Sequence, residues 1–219
     1  MAERQIKSKE RVSKHGEVFT NEREVKAMCD LVKQETERIE SRFLEPACGN
    51  GNFLAEILER KLVIVKRRYG KSQSDYERYS FLAVSSLYGV ELLEDNAQEC
   101  RERLFSIWDT EYTTLFRGRV LEQCREAIRY LLSKNILCGD ALSLKQSDGT
   151  PIIFSEWSFV TGNQVKRRDF RLDQLLDGQQ EQISFDMVNW EYDEEVQGFL
   201  PKPIQEFPLV DYRRVQSYE

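Results

Sequence analysis

Residues 44–54, Leu-Glu-Pro-Ala-Cys-Gly-Asn-Gly-Asn-Phe-Leu, restrict the fold more than any other stretch of the chain. Phe43 and Leu44 read as the end of a buried strand, while Phe53, Leu54, Ile57 and Leu58 open a helical apolar face. Between them, Gly49 and Gly51 can take positive φ or let a ligand approach the backbone. A strand, a glycine turn and a helix N-terminus make a βα cradle for a ligand, with Glu45 at the strand's end. The spacing is Gly-x-Gly without the third glycine of the dinucleotide fingerprint, so nicotinamide binding is disfavoured.

Downstream, helical and strand patterns alternate. The helix after the turn runs through Leu62 and Val65 toward Tyr69-Gly70, and the polar run 70–74 breaks it. A helix over 76–85 leads into a strand over 87–92. Asp95 or Asn96 is placed to cap a helix with Cys100, Leu104 and Ile107 on one face, and Val120, Cys124, Ile128 and Leu131 mark another before a strand over 135–138. This βαβαβ order predicts parallel strands joined by right-handed crossovers. Upstream, Asn21 with Glu24 three residues on signals a capped helix carrying Val25, Met28, Leu31 and Val32 on one face. After Asp140 the pattern weakens: 148–151 reads as a turn and 152–160 as one or two short strands.

The 219 residues suffice for one α/β domain with a proper core, and are too few for a catalytic domain plus a large recognition domain. The formal charge of −6 argues against coating nucleic acid by bulk electrostatics, although 186–219, with eight acids against three bases, carries −5 of it. Bases cluster at Arg4, Lys7, Lys9, Arg11 and Lys14, at Lys66-Arg67-Arg68 and at Lys166-Arg167-Arg168, and read as solvated surface. Cys29, Cys48, Cys100, Cys124 and Cys138 are odd in number and lack Cys-x-x-Cys spacing, which indicates neither a disulfide framework nor a zinc site. With no membrane-spanning apolar run and no signal-peptide core, a soluble cytoplasmic protein is expected. The chain divides into a basic mobile arm over 1–15, a ligand-binding domain over 16–185, and an acidic, extended tail over 186–219 whose Trp190, Phe199 and Phe207 pack on the domain or a partner.

Four segments together resemble the amino-methylating (N6-adenine) S-adenosylmethionine-dependent DNA methyltransferases of restriction-modification systems. Gly16-Glu17-Val18-Phe19-Thr20 is similar to the family's N-terminal cofactor-side segment, and Glu45 to Leu54 to its glycine-rich loop. Tyr88-Gly89-Val90-Glu91 resembles the second strand with its ribose-binding acid, and Gly139-Asp140-Ala141-Leu142 the turn beside the adenine ring. The resemblance covers roughly residues 15–145 and rests on the order and spacing of all four. It implies a three-layer Rossmann-like class I methyltransferase domain with a mostly parallel sheet, an irregular C-terminal tail and S-adenosylmethionine as cofactor.

On this resemblance Glu17, Phe19 and Thr20 fold over the methionine end of the cofactor. Glu45 meets its ammonium, Glu91 its ribose hydroxyls, and Ala47, Cys48, Gly49, Gly51, Asn52 and Phe53 form the loop around it. Asp140 reads equally as acceptor for the adenine amine and as a turn cap. His15, the single histidine, reads as a surface residue rather than a catalytic base. The chain departs from the family in placing Asn21 where proline often follows the threonine, and Glu45 where aspartate is commoner.

The family's catalytic signature, Asp, Asn or Ser followed by Pro-Pro and an aromatic, is missing, since no two of the five prolines are adjacent. In that signature polar acceptors take hydrogen bonds from the target amine while the aromatic stacks on a base flipped from the duplex. Its best remnant is Ser158 to Lys166, with Asn163 as candidate catalytic acceptor, Gln164, Val165 and Lys166 in place of the prolines and aromatic, and Phe170 or Trp157 as substitute stacking partners; the alternative is a plain surface loop.

The expected function is that of the modification subunit of a restriction-modification or phage-defence system, acting on DNA with target recognition from a partner polypeptide. The alternative is a catalytically inactive binding or regulatory subunit, and a small-molecule or RNA methyltransferase on the same fold is a third possibility.

Overall fold

The structure is a computed structural model that describes residues 6–177, 190–193 and 198–218. Strand β2 (Leu87–Glu91) is buried along its whole length and forms the axis of the fold. It pairs in parallel with β1 (Phe43–Glu45) on one side and β3 (Ile136–Cys138) on the other, with Glu45 opposite Gly89 and Glu91 opposite Cys138. Parallel strands need long crossovers, and helices supply them. The expected βαβαβ alternation is therefore present, and the acids at residues 45 and 91 share the carboxyl edge of the sheet.

One face of this sheet is covered by α4 (Asn52–Tyr69), α5 (Gln73–Ser85), α6 (Glu94–Phe116) and α7 (Glu122–Asn135), which pack on one another and on the strands. Their sequences explain it. Cys100, Leu104, Trp108, Tyr112 and Phe116 recur every four residues along α6 and are all buried, extending the expected face well beyond Ile107. The cap of α6 is Leu93, which makes no side-chain cap bond, and neither Asp95 nor Asn96 fills that role because both are used elsewhere. Gly89 admits this layer closely: a Cβ there would lie 2.9 Å from Cys48 Sγ and 3.1 Å from Leu54 Cδ1.

The other face, Tyr88, Val90 and Leu137, packs against Ile152, Phe154 and Leu172. A three-layer Rossmann-like domain with a mostly parallel sheet was expected; among the described residues the parallel sheet has three strands and this second face is covered largely by an antiparallel hairpin. Its strands β4 (Ile153–Thr161) and β5 (Gln164–Arg171) pair through a two-residue turn at Gly162-Asn163. A short α8 (Leu172–Asp177) follows, then the two-stranded ladder of β6 (Trp190–Asp193) and β7 (Gly198–Pro201). The last segment is less extended than the sequence suggests. β8 (Gln205–Glu206) and β9 (Val210–Asp211) add to β5, and the 3₁₀ stretch Tyr212–Tyr218 buries Tyr212 and Val215, with Tyr212 Oη donating to Glu77 Oε2 at 3.1 Å.

At the N-terminal end, Lys9–His15 form helix α1, capped by Ser8 and closed by Gly16 at φ +65°, where a mobile arm was expected; residues 1–5 lie outside the described residues. Helix α2 (Glu22–Leu31) starts at Asn21 as predicted, its Oδ1 accepting from the Arg23 N–H, and α3 (Lys33–Thr36) follows. The predicted apolar face of α2 is only partly used. Val25 and Cys29 are buried, but Met28 and Val32 are exposed and Leu31 is 86% exposed, so the roughly 1.5–3 kcal/mol that burial of each would contribute is unrealised.

All five cysteines are free, and among the described residues no His/Cys/Asp/Glu group suits a metal ion and no helix is long and apolar enough to cross a membrane.

Candidate functional site

A cleft of about 590 Å³ opens at the carboxyl edge of the parallel strands, a size suited to a small organic ligand. Of the residues singled out from sequence, Glu17, Phe19, Thr20, Glu45, Ala47, Cys48, Gly49, Asn52, Phe53, Glu91 and Asp140 all line it, as does His15. Four segments far apart in sequence thus converge on one hollow.

The glycine loop is positioned by backbone pairing to β2, with the Cys48 N–H donating to Val90 O at 2.9 Å, and Gly139 N–H similarly tying the turn after β3 to Glu91 O at 2.9 Å. Gly49 takes φ +54° with Phe19 directly against it, a Cβ there meeting the Phe19 ring at 3.1 Å. Gly51 does something different. At φ +87° it caps α4, and its missing Cβ would stand 2.7 Å from Cys100 Sγ, so its close approach is to α6 and it does not line the cleft.

Glu91 is the best-anchored acid. Oε2 accepts from Gly49 N–H at 2.8 Å, and Oε1 accepts from Leu93 N–H at 3.1 Å and from Asn96 Nδ2 at 3.3 Å. A carboxylate offers about four acceptor directions, so these three donors orient it and leave one open on Oε2. Glu45 accepts from the Ala47 N–H at 3.3 Å, and burial pushes its carboxyl above the usual range. Asp140 Oδ1 accepts from the Leu142 N–H at 2.9 Å, the turn-capping arrangement, and its carboxyl is held low by that bond and by Ser143.

The N-terminal segment is tied down on both sides. Asn52 Nδ2 donates to Thr20 O at 2.9 Å, and Arg11 bridges Glu17 Oε2 on the cleft to Asp95 at the start of α6. Lys7 Nζ donates to Asn96 Oδ1 at 2.7 Å and pairs with Glu99 at 2.5 Å. Asn96 therefore links Lys7, just before α1, to Glu91. Sequence reasoning took Asn96 for a helix cap and missed both it and Arg11; the available signal was a pair of polar residues, Asp95 and Asn96, one turn past the strand-end acid.

Two polar atoms of residues that line the cleft are unmatched. Glu17 Oε1 and Asn50 Oδ1 are buried and accept no hydrogen bond from the protein. Each such group costs about 1–3 kcal/mol unless a ligand or water supplies a donor. A cofactor bearing hydroxyl and amine donors fits a cleft lined by Glu17, Glu45, Glu91 and Asp140.

Asn163, the candidate catalytic residue, is not brought to the cleft. It sits in the β4–β5 turn, beside Gly162 at φ +52°, and its carbonyl accepts from Tyr212 N–H at 3.0 Å. Ser158 and Phe159, just before it, line a separate groove with Arg42, Ser86 and Tyr88 at the amino ends of the strands, the opposite edge of the sheet from the cleft. The physical reason is turn chemistry: Gly-Asn is a favoured two-residue hairpin loop, so this stretch closes an antiparallel pair instead of ending a parallel strand. Trp157 is no stacking partner either, being buried with its indole N–H on Asn135 Oδ1. The 166–168 basic run is likewise consumed within the fold, Lys166 pairing with Glu206, Arg167 with Asp169 and Arg168 with Glu156.

A parallel βαβαβ unit with an acid-lined cleft at its carboxyl edge defines an α/β protein of methyltransferase type. The family model described as MmeI, DNA-methyltransferase domain, matches residues 19–167, and the chain belongs to that family. DNA methyltransferase A of Bacillus subtilis (strain 168) is 27% identical over 127 residues, covering 56% of this chain and 14% of that relative's length. No solved structure matches.

Proposed function

We propose that the cleft binds S-adenosylmethionine and that the chain is the cofactor-binding part of a DNA adenine-N6 methyltransferase of a restriction-modification or phage-defence system. The observation that carries this reading is the convergence of the Phe19 segment, the glycine loop, Glu91 and Asp140 on one hollow. In it the single open acceptor direction of Glu91 takes a ribose hydroxyl, a charge-assisted bond worth roughly 1.5–3 kcal/mol. Asp140 lies at the adenine end, while Phe19, packed on Gly49, shields the loop from water. When bound, S-adenosylmethionine supplies an electrophilic methyl group, and the chain's task is to orient it and exclude solvent.

Acceptors for the target amine and a stacking aromatic come from outside the cleft described here, since Asn163 is directed elsewhere. Target recognition comes from a partner polypeptide. The position of Asn163 also supports the second reading, a non-catalytic subunit that binds cofactor and regulates a defence assembly. Transfer of a tritiated methyl group from S-adenosylmethionine to DNA, by the chain alone and with co-purifying proteins from its host, separates the two. Cofactor binding without transfer in either setting selects the regulatory reading, and no cofactor binding at millimolar concentration removes both.

A further inference from the structure

The groove at the amino ends of the strands has a volume of about 300 Å³, half that of the cleft and at the lower end of the range for small-molecule sites. Its walls include Tyr79, Leu82, Trp157 and Phe159, and two arginines, Arg42 and Arg78, open onto it. Arg78, half-buried on α5, is the unmatched charge. Its guanidinium carbon lies 4.8 Å from the centroid of the Phe159 ring and 5.8 Å from that of Tyr79, and among the described residues no carboxylate pairs with it. Tyr79 is itself fixed by a parallel stack on Tyr69 at 3.7 Å. The acids nearby are already engaged: Glu40, which also lines the groove, pairs with Arg38 at 3.4 Å, and Glu156 is shared by Arg42 and Arg168.

Aromatic rings satisfy the flat faces of a guanidinium but not its N–H donors, which point outward in its plane. Arg78 therefore keeps its donors while the rings hold its orientation, and Arg42 engages Glu156 through Nη2 alone. An unpaired guanidinium above apolar walls complements a compact anion on an apolar or aromatic body. A bare anion would leave the walls uncovered, and a neutral ring would leave the donors unmatched. We propose that this groove is a second binding site, for a small organic anion whose phosphate or carboxylate is held by Arg78 and Arg42 and whose body packs on Tyr79, Leu82 and Phe159. It lies at the opposite edge of the sheet from the cleft and is independent of what the cleft binds.

The test uses four probes without adenosine: phenyl phosphate and benzoate, which carry the two anion types on one ring, phenol, which is neutral, and inorganic phosphate, which has no ring. Titrated at millimolar concentration into the nitrogen-15-labelled chain, phenyl phosphate or benzoate is expected to shift the amide signals of Arg78, Tyr79, Ser158 and Phe159 and to leave those of Gly49 and Asn50 in place. The tighter of the two identifies the anion. Phenol and inorganic phosphate are each expected to bind at least about tenfold more weakly. Arg78→Ala is expected to weaken the better probe about 10- to 100-fold, and Arg78→Lys, which keeps the charge without the planar fork, by less. Arg42→Gln, a change to an exposed side chain, is expected to weaken it about threefold or more and serves where Arg78→Ala disturbs folding. Signals that move only at Gly49 and Asn50, phenol that binds as tightly as both anions, or unchanged affinity in folded Arg78→Ala protein, or in Arg42→Gln where the former does not fold, would each overturn the site. No shift with either ring-bearing anion would overturn it as well, with the reading of the cleft untouched.

Discussion

Substituting Gly51 by alanine separates a structural glycine from a ligand-facing one. At φ +87° an alanine is in the left-handed region, which costs about 1–2 kcal/mol. Its Cβ would also stand 2.7 Å from Cys100 Sγ, well inside van der Waals contact, and overpacking of this kind adds about 1–3 kcal/mol. Reduced freedom of the unfolded chain returns about 0.4–1 kcal/mol, leaving a net loss of about 1–5 kcal/mol. Cys100→Ala removes the clashing sulfur but not the φ strain; the next contact is Cys100 Cβ at 3.4 Å, which is tolerable. The double variant is therefore expected to recover about 1–3 kcal/mol relative to the sum of the single variants. Urea unfolding followed by circular dichroism, with wild type and the three variants at equal slope, measures that coupling. Strict additivity would refute the contact with α6. Folded Gly51→Ala protein is further expected to bind S-adenosylmethionine within about threefold of wild type, whereas Gly49→Ala, whose Cβ meets Phe19 at the cleft wall, is expected to weaken binding by tenfold or more.

Three further outcomes are expected. Glu91→Ala removes the acceptor of Gly49 N–H and Asn96 Nδ2 together with the proposed ribose partner, so S-adenosylmethionine affinity by calorimetry should fall at least tenfold; retained affinity would move the ribose elsewhere. Lys61 is fully buried on α4 with Nζ donating to Ile39 O, Ser41 O and Ser86 Oγ, so Lys61→Met strands two backbone carbonyls and should cost about 2–5 kcal/mol in urea unfolding. Burial pushes the Lys61 ammonium down to about 7 from its ordinary value of 10.5, so the unfolded chain binds the extra proton between those values; stability should rise with pH across that window in wild type and lose this component in Lys61→Met. Helix α1 buries no side chain, and its Arg11–Asp95 pair reaches an exposed carboxylate and is worth about 0–1 kcal/mol, so 1 M salt should expose its amides to hydrogen exchange while the unfolding midpoint moves little, with Arg11→Ala, which also breaks the half-buried pair to Glu17, acting more strongly. Arg11 holds the Asp95 carboxyl down at about 2, so this attachment should be complete above about pH 4 and lost as pH falls through 2.

What could be read from sequence and what could not differ by the range of the forces involved. The strand, glycine turn and helix at 43–58 are fixed by neighbours a few positions apart, and they follow in the predicted order, the first strand ending at Glu45 rather than at Leu44. The β4–β5 hairpin is equally local: Val165, Arg167 and Asp169 alternate inward along β5 and Gly162-Asn163 closes the turn, although the family resemblance gives that asparagine another meaning. Arg167, a charged residue facing inward, disguised the alternation. It is stable there because Asp169 pairs with it at 2.8 Å and Phe207 covers its guanidinium at 4.2 Å.

The α1 clasp lay beyond any local rule. Its bonds join Arg11 to Asp95 and Lys7 to Asn96, residues 84 and 89 positions apart, and composition reveals only that both segments are charged. Charges that look solvated in sequence are thus the ones that close the cleft, and the polar residues that look like helix caps at 95 and 96 are free to do so because Leu93 starts α6 without them. A site assembled in this way leaves its trace as a missing local role: where a capping residue does not cap, its partner is to be sought across the fold. Asn96 meets that description, and its amide reaches Glu91 while its carbonyl takes Lys7, which places the acid at the end of β2 and the segment leading into α1 on one hydrogen-bonded chain.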